Sequence, residues 1–421
     1  MDLTSAPLHR PVEPIIITKP AHPISQRDID PDALKILFWL YRQGFTAYLT
    51  GGAVRDLLLG KPAKDFDIVT DARPGQIKKR FANAYVIGRR FRLAHIHFSG
   101  GKIIEVATFR RAVEPAEAKA PEGDTVPASP YGTPGEDAFR RDITINALFY
   151  DVITDTVIDY VGGLEDLSRR TVRVIGDPAE RFREDPVRIW RVLRHSARLG
   201  FSIEEETEKA IPSHIHLLSS CSGARLYEEF NKDLAYETRP VIESLRKYGL
   251  LGRVLGKIGA DYEADAGLFS RLRSLLDIED RARMAGYKLS LEEMYGLVFW
   301  PWLEPRLAEE RMDLHKTFSD ALRDAGMKVA VPKSLRADVI EILIIVKAMI
   351  QALRTGRMRW SLERRAHYRQ ASRLFFLVFK ERPAEKEETF EKLFQQAFPA
   401  GPKRWRRRGR RPFHRFPKNP L

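Results

Sequence analysis

Apolar positions change period several times along the first half of the chain, and each change marks an element. Ala33, Leu34, Ile36, Leu37, Trp39 and Leu40 recur at helical spacing behind Asp30 and Pro31, which predicts a capped helix ending at Gly44. Ala47 to Thr50 reads as a strand that enters the Gly51-Gly52 turn. A short helix over Val54 to Leu59, a Gly60-Lys61-Pro62 break and a strand from Asp65 to Thr70 follow. A helix around Gln76 to Phe81 precedes strands near Tyr85 to Ile87, Arg92 to Phe98 and Lys102 to Phe109, and Asp151 to Val161 reads as a strand pair closed by Gly162-Gly163. From about Ile203 the pattern is almost wholly helical. The predicted class is α+β: an N-terminal head with a mixed sheet and flanking helices, followed by an all-α half.

Prolines and charges set the boundaries. Residues 1–30 read as a flexible N-terminal segment, 31–163 as the head, 164–235 as a helical neck, 236–400 as a helical body and 401–421 as a disordered tail. The stretch 112–138, with Pro115, Pro121, Pro127, Pro130 and Pro134, reads as a surface loop. Hydrophobic content of 43% and charged content of 30% are those of a globular protein, and no apolar run is long enough to span a bilayer. The one cysteine, Cys221, excludes an internal disulfide and a cysteine zinc cluster, and fits a reducing cytoplasm. The net charge of +14 points to a polyanionic partner. Nine Lys or Arg and no acid fall in residues 401–421, leaving +5 for the rest. Arg404, Arg406, Arg407, Arg408, Arg410 and Arg411, interleaved with Trp405, Phe413 and Phe416, read as an RNA tether.

Candidate chemistry gathers in three stretches. On a strand, Asp65 and Asp67 share a face and offer two carboxylates to a divalent cation, Mg²⁺ or alternatively Mn²⁺. Gly51 and Gly52 let the backbone approach a triphosphate, and Arg55 adds a fork for phosphate. Glu105 is a charge inside an apolar strand and is the candidate third acid. His95 and His97 also share a strand face, but no third ligand accompanies them and they read as structural. The run Arg140-Arg141-Asp142-Ile143-Thr144-Ile145-Asn146-Ala147 sets two arginines beside an acid, which alone reads as a capped helix start with solvated arginines. In Glu184-Asp185-Pro186-Val187-Arg188-Ile189-Trp190-Arg191, the residues Asp185, Arg188, Arg191 and Arg194 wind around one helix at spacings of three. An aspartate beside an arginine imitates a base-pairing edge.

In this order the three stretches resemble the signature of the class II branch of the DNA polymerase β-like nucleotidyltransferases, the bacterial poly(A) polymerases and tRNA CCA-adding enzymes. The resemblance spans about residues 35 to 200. It implies that Asp65 and Asp67 bind metal, that Asp142 serves the active centre and Arg141 contacts the nucleotide's phosphates or sugar, and that Asp185 and Arg188 read the incoming base while Arg191 and Arg194 hold base or phosphate. Val86-Ile87-Gly88-Arg89-Arg90-Phe91-Arg92-Leu93-Ala94-His95-Ile96 and the arginine-rich C-terminus resemble the poly(A) polymerases more than the tRNA enzymes. The implied activity is template-independent transfer of AMP from ATP to RNA 3′ ends with release of pyrophosphate, as in mRNA polyadenylation and RNA turnover. CCA or single-A addition to tRNA is the alternative, and a non-catalytic RNA-binding protein is the alternative of another class. Expected partners are ATP, the 3′ ends of mRNA or tRNA, and, through the tail, RNA-decay or RNA-chaperone proteins; no membrane is expected.

Overall fold

The computed structural model describes residues 13–88, 92–111, 131–284, 286–307, 314–355, 362 and 364–380. The tail arginines Arg404 to Arg411 and most of the predicted loop, residues 112–130, lie outside them, as do Arg89, Arg90 and Phe91. The chain divides into two compact units, Met1–Cys221 and Ser222–Leu421, a division that falls within the stretch read above as one neck.

The first unit contains β1 (Ile15–Thr18), α1 (Pro31–Arg42), β2 (Ala47–Thr50), α2 (Gly52–Leu58), β3 (Asp67–Thr70), α3 (Pro74–Arg80), β4 (Ala84–Ile87), β5 (Leu93–His97), β6 (Ile103–Thr108), α4 (Pro134–Arg140), β7 (Phe149–Asp151) and β8 (Thr156–Asp159). Eight strands form one sheet in the order β1-β8-β7-β2-β3-β6-β5-β4. All its pairings are antiparallel except β3 with β6, which run parallel with Ile68 opposite Val106 and Val69 opposite Ala107. The unit continues through α5 (Gly163–Ser168), β9 (Thr171–Val172), α6 (Pro178–Glu184), α7 (Val187–Leu199), β10 (Ser202–Ile203) and α8 (Glu205–His214).

Strand alternation gives the sheet two faces with different fates. Leu49, Ile68, Ala94, Ile96, Ile104 and Val106 point to one face and are fully or almost fully buried. On the other face Val69, Phe149 and Ile158 join Phe109, Ala138, Ala147 and Ile175 in a core cluster, with Ala107 packed at its margin. The same face over β5 and β4 carries Tyr85, Ile87 and His97 in the open. The functional cleft lies at this border.

Two expectations are corrected here. The segment read as flexible contains β1, which pairs along its full length with β8, and buries Ile24 and Ile29. The consecutive isoleucines supply strand propensity that the surrounding prolines conceal. The predicted loop ends early because Thr133 and Glu136 form a capping box at the start of α4, with Thr133 Oγ1 accepting from Glu136 N at 3.3 Å and Glu136 Oε2 accepting from Thr133 N at 2.7 Å. A smaller difference matters for the site. The strand begins at Asp67, so Asp65 precedes the ladder.

The second unit contains only helices among its described elements: α9 (Gly223–Ala235), α10 (Thr238–Lys247), α11 (Leu251–Leu255), α12 (Lys257–Ala264), α13 (Ala266–Met284), α14 (Leu291–Leu303), α15 (Leu314–Asp324), α16 (Lys333–Thr355) and α17 (Tyr368–Lys380). Helix α14 is its central element, buried on all sides. The one acid buried within it, Glu293, is matched by Arg373, whose Nε and Nη2 donate at 2.6 and 2.7 Å.

Candidate active site

A cleft of about 410 Å³ opens in the first unit at the margin of the covered sheet face. Its carboxylate side is Asp67, at the head of β3, and Glu105, in the middle of β6. Glu105 is thus on an internal strand, flanked by β3 and β5. The parallel register sets it beside Asp67 on the same face, one step before the Ile68–Val106 pair. Enclosure in the cleft pushes the Asp67 carboxyl up to about 6; Glu105 adds to the rise, Arg141 opposes it and Asp65 adds again. Asp65 is exposed, just before the strand, and is not among the residues that line the cleft.

Concentrated negative potential on hard oxygen donors is what a divalent cation relieves. Among the described residues, no group of three or more His, Cys, Asp or Glu side chains is gathered that could hold a metal ion by itself. The carboxylates therefore fit an ion whose remaining ligands are water and phosphate, as is usual for Mg²⁺.

The facing side of the cleft is cationic. Arg110, Arg140, Arg141 and Arg191 line it. Buried Asp137, in α4, organises three of these segments: its Oδ2 accepts from Arg141 Nε at 3.1 Å and Nη2 at 2.9 Å, while Oδ1 accepts from Arg110 N at 3.2 Å and Arg140 Nη2 at 3.4 Å. The Arg141 guanidinium also lies over the Phe149 ring at 5.3 Å. Burial and the neighbouring Arg140 lower the pKa of Arg110, with Asp137 and Glu105 opposing the shift.

Gly51 and Gly52 form the turn between the two sides. Gly51 has φ +73° and ψ −145°, and a Cβ there would sit 3.4 Å from Asp67 Oδ2. Glycine is required by the backbone conformation, since the contact itself is an ordinary one.

The third stretch is arranged differently from the simple base-reading pair. Asp142 in the cleft wall accepts from Arg188 Nε at 3.0 Å and from Arg191 Nη1. Burial works to raise its carboxyl, but Arg191 and Arg188 outweigh that and hold it below the usual carboxylate range. Arg188 Nη1 also donates to Glu184 Oε2 at 2.7 Å and Arg181 O at 2.9 Å. Asp185 Oδ1 accepts from Val187 N at 3.1 Å at the start of α7. Asp185, Arg188 and the buried Arg194 are not among the residues that line the cleft, whereas Arg191 is.

Arg55 is likewise held by protein partners. Its guanidinium is buried and donates to Asp56 Oδ1 at 2.9 and 2.8 Å and to Asn146 Oδ1 at 2.6 Å, tying the first motif to the second. Because Asn146 Oδ1 is an acceptor, its Nδ2 faces His195 Nε2, 3.3 Å away, and donates to it. Burial, with Arg55 and Arg194 nearby, holds His195 well below its usual pKa. His195, Asn146, Arg110 and Arg140 line the cleft without having been singled out from sequence. For His195 a signal existed: it is four residues after Arg191, hence on the same face of α7.

Residues 47–173 match the family described as the poly A polymerase head domain, and residues 200–258 match a segment described as a probable RNA and SrmB-binding site of polymerase A. Poly(A) polymerase I of Salmonella typhimurium is 38% identical over 376 residues, which is 85% of this chain and 80% of the relative. The chain belongs to the bacterial poly(A) polymerase family. That family is one of nucleotidyltransferases and extends to the CCA-adding enzymes. The enzyme of Geobacillus stearothermophilus so named is 34% identical over 284 residues, 67% of this chain and 61% of the relative. A crystal structure of the Bacillus stearothermophilus CCA-adding enzyme in complex with CTP aligns with a TM-score of 0.63 at 26% identity, covering 88% of this chain and 83% of that one. The fold expectation, a mixed-sheet head followed by a helical half, agrees with that likeness. Among the described residues no helix is long and apolar enough to cross a membrane.

Proposed function

We propose that the protein transfers AMP from ATP to the 3′ hydroxyl of RNA without a template. The hydroxyl oxygen loses its proton to water as it attacks the α-phosphorus, the bond from that phosphorus to the bridging oxygen breaks, and pyrophosphate leaves with the electron pair. The observation that carries the reading is the cleft itself, in which Asp67 and Glu105 face Arg110, Arg140, Arg141 and Arg191. A carboxylate side and a guanidinium side suit a reaction between an alcohol and a polyphosphate.

Mg²⁺, or Mn²⁺ in its place, would be held by Asp65 and Asp67 with Glu105 beside them, and when bound supplies charge neutralisation and activation of the attacking hydroxyl. Arg141 and Arg191 grip the triphosphate together with Arg110 and Arg140, and the Gly51-Gly52 backbone admits it closely. Asp142 keeps Arg191 aimed into the cleft. Base reading by Asp185 and Arg188 exchanges the Arg188 ion pairs with Asp142 and Glu184 for hydrogen bonds to adenine. The RNA is bound by the helical part and the basic tail, in a cytoplasmic enzyme of mRNA polyadenylation and decay.

Poly(A) polymerase I relatives are matched over 80% of their length, which favours ATP alone as substrate. The likeness to a CCA-adding enzyme holding CTP supports a second reading, CCA or single-A addition to tRNA. Labelled ATP and CTP, offered with Mg²⁺ to a generic single-stranded RNA and to a tRNA lacking CCA, separate the two. Long adenylate tails on the generic RNA are expected, and addition confined to tRNA that stops at CCA would overturn this choice. Asp65→Ala with Asp67→Ala is expected to lower transfer at least about a thousand-fold while RNA binding persists. A non-catalytic RNA binder would have no transfer to lose.

A further inference from the structure

The sheet face that floors the cleft continues beyond Glu105. By register, Asp67, Glu105, His95 and Tyr85 stand in one row across β3, β6, β5 and β4. His95 Nε2 lies 3.5 Å from Glu105 Oε2. Beyond it, Tyr85 is 57% exposed and its ring meets that of exposed His97 edge to face, centroids 4.9 Å apart. Ile87 and Ile103 are exposed beside them on the same face. The core does not need these groups, because the opposite face of the same strands is already closed by Ala84, Ala94, Ile96, Ile104 and Val106 with Ile77 of α3.

Contiguous apolar and imidazole surface left open beside a reaction centre calls for an occupant. Its rings suit bases, which stack on aromatic and histidine faces whatever their sequence. At a strand spacing of about 4.8 Å, Tyr85 stands about 14 Å along the row from Asp67, room for a short run of nucleotides. We propose that this face is the platform on which the 3′-terminal bases of the RNA stack, with Tyr85 and His97 as positioning residues that aim the terminal hydroxyl at the cleft. The inference rests on the RNA-extending reading above and names how the acceptor strand is held.

The test uses the full chain and an oligoadenylate ending in 2-aminopurine, titrated without ATP so that binding is read independently of transfer. The parent protein is expected to quench the fluorophore. Tyr85→Ala and His97→Ala should each weaken binding about 5- to 100-fold and reduce the quench, while Tyr85→Phe, which keeps the ring, should match the parent. In AMP transfer, Tyr85→Ala should raise KM for oligoadenylate by a similar factor and leave KM for ATP unchanged. Ile16→Ala on the opposite edge strand is the control and should change nothing. Parental binding and quenching in both alanine variants would overturn the platform and return this face to a protein contact, as would equal loss in Tyr85→Phe. Transfer by the parent protein is scored separately, so failure of the proposed reaction and failure of the platform are distinct results.

Discussion

Asp142 shows how one carboxylate decides what its neighbours can do. It holds Arg188 and Arg191 together, and its folded pKa lies below the ordinary 3.8 because their attraction exceeds the effect of burial. A depressed carboxyl stabilises the fold above its unfolded pKa and ceases to do so as pH falls through the folded value. The unfolding free-energy difference between the parent and Asp142→Asn is therefore expected to stay flat from neutrality to about pH 5 and to shrink below the unfolded value, as read by denaturant melts across that range. Gly51 offers a second prediction. With φ +73°, Gly51→Ala should cost about 1–3 kcal/mol in thermal unfolding and raise KM for ATP. Residue types and their order were legible in the chain, since Asp67, Glu105, Arg141, Asp142 and Arg191 meet in one cleft. Partner choice was not. A stripe at spacings of three says that Arg188 and Arg191 are neighbours, but only the fold brings Asp142 between them. Arg55 reads as a phosphate ligand until Asn146, 91 residues later, occupies it.

The elements that set the site are short, and caps define them more than periodicity does. Asp159, at the end of β8, accepts from the amides of Val161, Gly162, Gly163 and Leu164 at 2.9 to 3.1 Å, which fixes the start of α5. From α5, Asp166 accepts from Arg173 Nε at 2.8 Å and Thr144 Oγ1 at 2.5 Å, holding the turn that follows Asp142. Gly163 packs so closely there that a Cβ would lie 2.4 Å from Thr144 O. Gly163→Ala is expected to destabilise by about 2–4 kcal/mol in calorimetry and to lower transfer through displacement of the second motif, although position 163 lines no part of the cleft. Most strands and helices could be read from apolar spacing. Two of the exceptions share a cause: β1 depends on pairing with a distant strand, and α4 depends on a capping box inside a stretch whose prolines and glycines read as loop. Neither signal is periodic.

At the scale of the whole chain, charge and connectivity govern behaviour. RNA affinity should fall steeply with salt, and removal of residues 401–421, with nine Lys or Arg, should flatten the log–log slope by up to about 6 if every charge meets a phosphate. Binding measured at several salt concentrations gives the slope. An unchanged slope would exclude the tail from contact. Connectivity acts earlier in the protein's life. Strand β1 is completed only by β8, with Ile15 opposite Asp159, and Asp67 meets Glu105 across a parallel pair that needs the whole crossover through α3, β4 and β5. At ribosomal speeds of about 5–20 residues per second, the first strand waits roughly 7–30 s for its partner to be synthesised. A nascent chain whose product consumes ATP and alters RNA thus stays inert beside the message that encodes it until its catalytic unit has left the ribosome.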